Sequence, residues 1–289
     1  MKNIILKLTN TTNNFKNNKF FKPIHKFAKL LGLVKLFHRY RSNLKEIRFR
    51  LDILGANVAM IDRSPKFYYY YIYLNDHAYE PALTKKIHDL ITEKENPVFV
   101  DIGAHLGYYS LLSASWHKGS NPVFAIEPNP DFFTTLIENI AINHLEHKIK
   151  PFQLALSNKT GKAKMTGWDS RVMNEDETGN VITTTFDLFC QKEGIEPDIL
   201  KIDVHGAEGK ILDGMQLTLK KVSHIFCETH HEILGFNVND LIKKMTSGGL
   251  KVYLFTEHRK LDGGKIIPIE EANLANHDDL IIYGKRENR

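Results

Sequence analysis

An aspartate followed by two glycines forms the motif with the clearest chemical meaning in this sequence. Asp101, Gly103 and Gly107 lie in residues 101–107 (DIGAHLG), where an apolar run ends and a helical pattern begins. Glycine allows the sharp turn from a strand into a helix, and the free N–H groups at a helix start can bind a polar ligand. The spacing differs from the G-x-G-x-x-G of dinucleotide sites, and a carboxylate here repels a diphosphate but attracts a cation. The motif therefore predicts a site for a cationic ligand.

A second acid, Glu127, ends the next apolar run, in residues 125–129 (AIEPN). A carboxylate at this strand end suits the two hydroxyls of an adenosine ribose. A cation and a ribose together describe S-adenosyl-L-methionine, so the two motifs predict the cofactor site of a class I methyltransferase. The alternative is an Asp–Gly turn with an incidental surface glutamate. The predicted cofactor-binding residues here are Asp101, Gly103, His105, Gly107, Glu127, Asn129 and, near the purine or simply in a turn, Asn158.

Polar residues also follow the predicted fourth and fifth strands: Asp203, His205 and Glu228. Ligands of an open α/β sheet lie at the carboxyl ends of its strands, so these three are the predicted catalytic residues. An alcohol loses its proton during methyl transfer, and His205 is the predicted base because imidazole is basic and neutral near pH 7. A surface histidine in a turn is the alternative. The cluster could instead bind a divalent metal, but its spacing matches no metal signature, so no metal is predicted.

Short strands and helices alternate from residue 97 onward. Apolar runs at 98–102, 123–126, 152–156, 199–204, 224–227, 252–255 and 280–283 predict strands, and helical patterns at 108–116, 131–143, 207–219 and 238–247 predict helices. The alternation predicts a doubly wound, Rossmann-like α/β fold with a mostly parallel, seven-stranded sheet and an N-terminal helical and strand extension. Residues 161–185 break the alternation and predict a hairpin or loop insertion.

In the order of these motifs the sequence resembles the FkbM-type methyltransferases. The resemblance rests on residues 99–110 (FVDIGAHLGYYS), 126–128 (IEP), 156–157 (LS) and 200–208 (LKIDVHGAE), within residues 80–285. It implies an S-adenosylmethionine-dependent O-methyltransferase that acts on hydroxyls of sugars, glycolipids or polyketide-like metabolites, and it implies Glu80 as a further residue near the cofactor. The family usually has glutamate where this chain has His205, so the resemblance transfers no acid or base role to that position.

Positive charge is concentrated at the N-terminus. Of the 289 residues, the first 50 contain 13 lysines and arginines and one acidic residue, although the net charge of the whole chain is only +5. We predict a basic, partly disordered and partly amphipathic arm at 1–50, a cover segment at 51–96 and the methyltransferase domain at 97–289. Residues 19–41 have the spacing of an amphipathic helix, which either packs on the domain or contacts an anionic membrane surface.

The remaining features limit where the protein works and what it binds. Cys190 and Cys227 are far apart in the sequence, which argues against a disulfide framework. A protein without disulfides is typical of a reducing compartment, so we predict a cytoplasmic location, with peripheral binding to a membrane as a further possibility. The predicted partner is a small-molecule or glycan acceptor. One alternative is a nucleic-acid methyltransferase anchored by the basic arm; nucleic acid is disfavoured because the bulk of the chain is acidic. The other is a non-catalytic, cofactor-binding module at a membrane. The sequence predicts neither the acceptor's identity nor the oligomeric state.

Overall fold

The computed structural model describes residues 45–64, 78–165, 172–175, 178–229, 237–256, 264–274 and 280–287. The basic segment 19–41 lies outside these ranges, so its contact with an anionic membrane stays a prediction. Within the described ranges, no helix combines the length and the apolar character needed to cross a bilayer.

The elements alternate along the chain as expected. The helices are α1 (Pro81–Glu93), α2 (Tyr108–Trp116), α3 (Pro130–Ile142), α4 (Phe186–Glu193), α5 (Glu208–Asp213) and α6 (Val238–Ser247). The strands are β1 (Ile47–Ile53), β2 (Ala56–Asp62), β3 (Phe99–Ile102), β4 (Val123–Ile126), β5 (Ile149–Phe152), β6 (Ala155–Leu156), β7 (Gly161–Met165), β8 (Val172–Glu175), β9 (Val181–Thr184), β10 (Ile199–Ile202), β11 (His224–Thr229), β12 (Lys251–Thr256), β13 (Lys265–Pro268) and β14 (Leu280–Lys285). Short 3-10 helices lie at Thr218–Lys220 and Ile269–Glu271. The predicted bounds of α2, β4 and α6 agree with the structure residue for residue.

The main sheet contains eight strands of the described chain, in the order β13-β12-β14-β11-β10-β3-β4-β5. β11, β10, β3, β4 and β5 run parallel, whereas β14, β12 and β13 are antiparallel to their neighbours. The predicted Rossmann-like α/β fold is thus confirmed. The sheet has one strand more than predicted, because β13, with two adjacent β-branched isoleucines, pairs with β12 at the edge.

Two predicted elements are interrupted by turns. The predicted strand 152–156 shares only its first residue with β5 and its last two with β6, and the predicted helix 207–219 ends as an α-helix at Asp213. Gly214 follows that end, and a Cβ at Gly214 would lie 2.1 Å from the carbonyl oxygen of Ser157. The end of α5 and the end of β6 therefore lie at the point where Gly214 packs against the backbone of Ser157. The insertion at 161–185 is confirmed as strands, since β6, β9, β7 and β8 form a separate four-stranded sheet.

Helices cover both faces of the main sheet, and this layering decides which strand residues reach the site. On β3, Phe99 packs into the core beneath α1 and α2, whereas Val100 and Ile102 pack into the core on the opposite face. Because side chains alternate along a strand, Asp101 shares the face of Phe99. Lys201 shares that face with Ile199 on β10 for the same reason. Polar groups are therefore set into one otherwise apolar layer.

An antiparallel hairpin of β1 and β2 packs against α2 and α3. The buried Asn139 amide accepts a hydrogen bond from Ile61 N at 2.6 Å and donates to Ile61 O at 3.1 Å and to Leu106 O at 2.9 Å. One side chain thereby fixes the hairpin to the loop that follows β3. β1 begins at Ile47, inside the range predicted as the arm, and the division at residues 50 and 96 stays a prediction.

Candidate active site

Gly103 lies where the loop after β3 meets the loop after β10. Its φ is +84°, and its N–H donates to Ile126 O at 2.9 Å. A Cβ at Gly103 would lie 1.9 Å from the carbonyl oxygen of Asp203, a distance that no side chain tolerates. The predicted turn is present, and glycine is also needed for contact between the loops.

Gly107 precedes α2 with a φ of +92°. We expected this glycine to bring the helix start close to a ligand or to a strand. A Cβ there would instead lie 2.6 Å from Leu136 Cδ1 on α3. The absent side chain therefore allows α2 and α3 to pack closely, and a direct cofactor contact of Gly107 stays a prediction.

Glu127 is buried at the end of β4 and is held by the backbone on both sides. Its Oε2 accepts a hydrogen bond from His105 N at 2.8 Å, and its Oε1 accepts one from Asn129 N at 2.8 Å. Burial raises the pKa of Glu127 to about 7, because desolvation and the nearby Asp101 and Asp203 outweigh these two hydrogen bonds. Each oxygen keeps a lone pair that can accept a ligand hydroxyl.

The Asn129 side chain caps the start of α3. Its Oδ1 accepts hydrogen bonds from Asp131 N at 2.9 Å and from Phe132 N at 3.2 Å. This cap holds the turn that presents Asn129 N to Glu127. Its predicted cofactor contact stays a prediction.

Asp101 is 1% exposed, and its carboxylate is only partly satisfied. Oδ2 accepts a hydrogen bond from Ser110 Oγ at 2.7 Å, but Oδ1 has no hydrogen-bond partner among the described residues. Burial raises the pKa of Asp101, and the nearby Lys201 and Ser110 oppose this rise. A buried carboxylate oxygen of this kind suits a cationic ligand, so the residues present fit the predicted cofactor.

Lys201 is a buried residue of the candidate site that is absent from the residues predicted from the sequence. Its side chain is 4% exposed, and Nζ lies 3.0 Å from Asp203 Oδ2 and 5.0 Å from the centre of the Tyr109 ring. The signal was present in the sequence, because a lysine within the strand run 199–202 (ILKI) is rarely buried unless it is paired.

Two of the predicted carboxylates join this buried group. Glu80, 2% exposed and with a φ of +45°, accepts a hydrogen bond through Oε2 from Tyr109 Oη at 2.8 Å. Glu228, 5% exposed, lies near the end of β11. Both carboxylates raise the pKa of Lys201, which places them in the same cluster as Asp203.

The two histidines of the site differ in environment. His105 lies beside Phe132, with ring centres 4.0 Å apart, and burial lowers the pKa of His105 to about 4, so the ring is neutral at pH 7. His205 is exposed on the loop after β10, with a φ of +52°. Its charge influences the pKa of His105, which places the two loops side by side.

Asn158 is exposed and lies beside Gly214, where a Cβ would be 3.3 Å from Asn158 Cα. The structure does not connect it to the buried cluster, and its predicted contact with the purine stays a prediction. Within the described ranges, histidine, cysteine, aspartate and glutamate side chains form no group of three that could hold a metal ion.

Comparison with known proteins identifies the family of this chain. The methyltransferase FkbM domain matches residues 101–263. The chain is similar to hexuronic acid methyltransferase AglP of Haloferax volcanii, with 25% identity over 201 residues that cover 68% of this chain and 73% of the relative. It is also similar to 2-O-methyltransferase NoeI of Sinorhizobium fredii, with 25% identity over 176 residues that cover 52% of this chain and 71% of the relative.

Among solved structures, the methyltransferase FkbM of Methylobacillus flagellatus has a TM-score of 0.46 and 15% identity, covering 76% of this chain and 53% of that chain. The family match extends from Asp101 through the loop after β10 to Glu228 and beyond, over more than half of the chain. The resemblance predicted from the sequence is confirmed: this chain belongs to the FkbM-domain methyltransferases.

Proposed function

We propose that this methyltransferase transfers its methyl group to a hydroxyl of a sugar, a glycolipid or a secondary metabolite. The methyl donor is S-adenosylmethionine, which supplies a methyl group activated by a sulfonium centre. The observation that carries the donor side of the proposal is the buried carboxylate of Asp101, whose Oδ1 has no hydrogen-bond partner in the described part of the chain. It lies directly before the glycine turn at the carboxyl end of β3, where an α/β sheet binds its ligands.

Each donor-side residue has a role that its environment supports. Glu127 would accept the ribose hydroxyls, because its carboxylate is already oriented by two backbone N–H groups. Asp101 would balance the positive charge of the donor, and His105 would add a neutral ring that does not repel that charge. The predicted contacts of Glu80 and Asn158 with the donor belong to the same proposal.

The acceptor class is supported by the names of two relatives. One relative is named for hexuronic acid and the other for 2-O-methylation. To test the proposal, the full chain is incubated with methyl-labelled S-adenosylmethionine and with separate glycan, lipid and RNA fractions from cells that produce the protein naturally. We expect label in the glycan or lipid fraction, in an ether that resists mild base. Label in RNA alone, or in base-labile esters alone, would refute it.

For proton removal we propose His205 as the base, with Asp203 and Glu228 positioning the acceptor. The acceptor oxygen bonds the methyl carbon while its proton passes to the base, so the base must be neutral or anionic before attack. His205 is exposed at the edge of the cluster, whereas Asp203 is tied to Lys201.

Replacement of His205 by alanine should lower kcat by about 100-fold, which is the low end for loss of a general base, without changing the donor Kd. Steady-state kinetics with the identified acceptor and donor titration calorimetry measure the two effects. His144→Ala is the matched control, because His144 is also exposed and has a φ of +56° but lies beyond α3. Unchanged kcat in His205→Ala would contradict the assignment; a large loss in Asp203→Asn would then identify Asp203 as the base.

A further inference from the structure

Lys201 links the donor side of the cluster to the acceptor side through the register of the sheet. β3 and β10 run parallel, and the Cα of Lys201 is paired with that of Asp101. Asp203 follows Lys201 by two residues, so the two share a face, and Lys201 Nζ lies 3.0 Å from Asp203 Oδ2. One ammonium group is thus paired with the aspartate that follows β10 and lies on the strand beside the aspartate that precedes the glycine turn.

A layer of side chains that includes Tyr109 and Glu80 covers Lys201, keeps water away from it and supplies a further acid. Tyr109 on α2 places its ring 5.0 Å from Nζ and donates its hydroxyl hydrogen to Glu80. The titratable groups that interact electrostatically with Lys201 come from each surrounding element: Asp101 of β3, His105 of the loop after it, Asp203 after β10, Cys227 and Glu228 of β11, and Glu80 and Tyr109 of the layer above.

Burial by itself would lower the pKa of Lys201, but Asp203, Asp101, Glu80 and Glu228 outweigh that effect and raise it. Lysine therefore stays charged at this position at neutral pH. The converse also holds: without this ammonium, several buried carboxylates would face one another and some would take up protons.

We propose that Lys201 is a positioning residue that keeps the carboxylates of Asp101 and Asp203 charged and in place for the donor and the acceptor. The proposal rests on the proposed binding of S-adenosylmethionine at Asp101. It explains why a charged residue occupies a strand whose neighbours, Leu200 and Ile202, are fully buried and apolar.

The test measures the affinity of the full chain for S-adenosylmethionine by titration calorimetry from pH 6 to pH 9. In Lys201→Met, the affinity at pH 7 should fall at least tenfold. The midpoint of the pH dependence in the wild type is that of Glu127, near pH 7. In the variant the midpoint should rise by about one unit or more, because Asp101 loses its ammonium neighbour and becomes the last of these carboxylates to ionise. Lys201→Arg keeps the charge and should keep the midpoint. Lys244→Met is the matched control, since Lys244 pairs with Asp213 and Asp240 outside the cluster; it should behave as the wild type.

The double variant Lys201→Met/Asp203→Asn removes both charges of the ion pair and leaves Asp101 without its ammonium, so its midpoint should rise as well. A wild-type midpoint in whichever of the two Lys201→Met proteins folds overturns the proposal. Failure of both to fold, judged by circular dichroism, also overturns it, because Lys201 then serves stability alone. If the wild-type chain binds no donor at all, the proposed function fails, and the proposal for Lys201 fails with it.

Discussion

Replacement of Gly103 by alanine is expected to lower the free energy of unfolding by about 2–5 kcal/mol and to weaken donor binding at least 100-fold. The backbone strain of a side chain at a φ of +84° costs about 1–2 kcal/mol, and overpacking costs about 1–3 kcal/mol more. The overpacking arises because the new methyl group would lie 1.9 Å from the carbonyl oxygen of Asp203. Relief of this contact must displace the loop after β3, which contains the proposed donor-binding groups.

The matched control for Gly103→Ala is Gly55→Ala in the exposed hairpin turn between β1 and β2. Gly55 has a φ of +82°, but nothing lies within 4 Å of a Cβ at that position. This variant should lose only the strain, about 1–2 kcal/mol, and should bind the donor normally. Chemical denaturation and titration calorimetry of both variants measure the difference. Equal stability losses and normal donor binding in both would show that the contact between the loops is unimportant.

Donor affinity is expected to increase about tenfold from pH 6 to pH 8, because the ionised fraction of a group with a pKa near 7 changes by that factor. We assign this change to Glu127, because its ionised form would accept the ribose hydroxyls better than its neutral form. In the Glu127→Gln variant, the donor should bind at least tenfold more weakly at pH 8, and this pH dependence should disappear. A retained pH dependence in Glu127→Gln would assign the titration to another group.

The same pKa makes a prediction about stability. The pKa of Glu127 is raised from its ordinary value of 4.5 to about 7 in the fold. The native state therefore holds a proton that the unfolded state has lost between these values, and the contribution of Glu127 to stability declines as pH rises through this window. Bound donor uses the ionised form, so the donor-induced increase in Tm should be larger at pH 8 than at pH 6. Thermal melts at both pH values, with and without donor, measure it.

Much of the fold could be predicted because its strands are short apolar runs with a clear beginning and end. The helices α2 and α6 were predicted residue for residue, since each begins after a turn and follows one continuous helical pattern. β13 was missed because it has only four residues, of which the first is a lysine and the last a proline, so its apolar run is too short to stand out. The contact of Asn139 with β2 was missed for another reason, since it joins residues 78 positions apart.

Part of the candidate site could be predicted because the sequence shows where single strands end. Asp101 and Glu127 follow apolar runs, and both are buried in the structure, whereas their contacts with the donor stay predictions. The lysine in the strand run 199–202 indicates a buried, paired side chain, but its partners depend on the register of β3 and β10, which places Asp101 beside it. The difference between the partly buried His105 and the exposed His205 depends on how two loops fold, and residue type alone contains no such information.

Titration of S-adenosylmethionine into the full chain at pH 8, with Asp101→Asn as the comparison, tests the central claim most directly. The claim is that a buried carboxylate without a hydrogen-bond partner at Oδ1 among the described residues receives a cationic methyl donor. We predict one donor per chain in the wild type and at least tenfold weaker binding in Asp101→Asn, with both proteins folded. Absence of binding to the wild type, or equal binding to both proteins, would contradict the account.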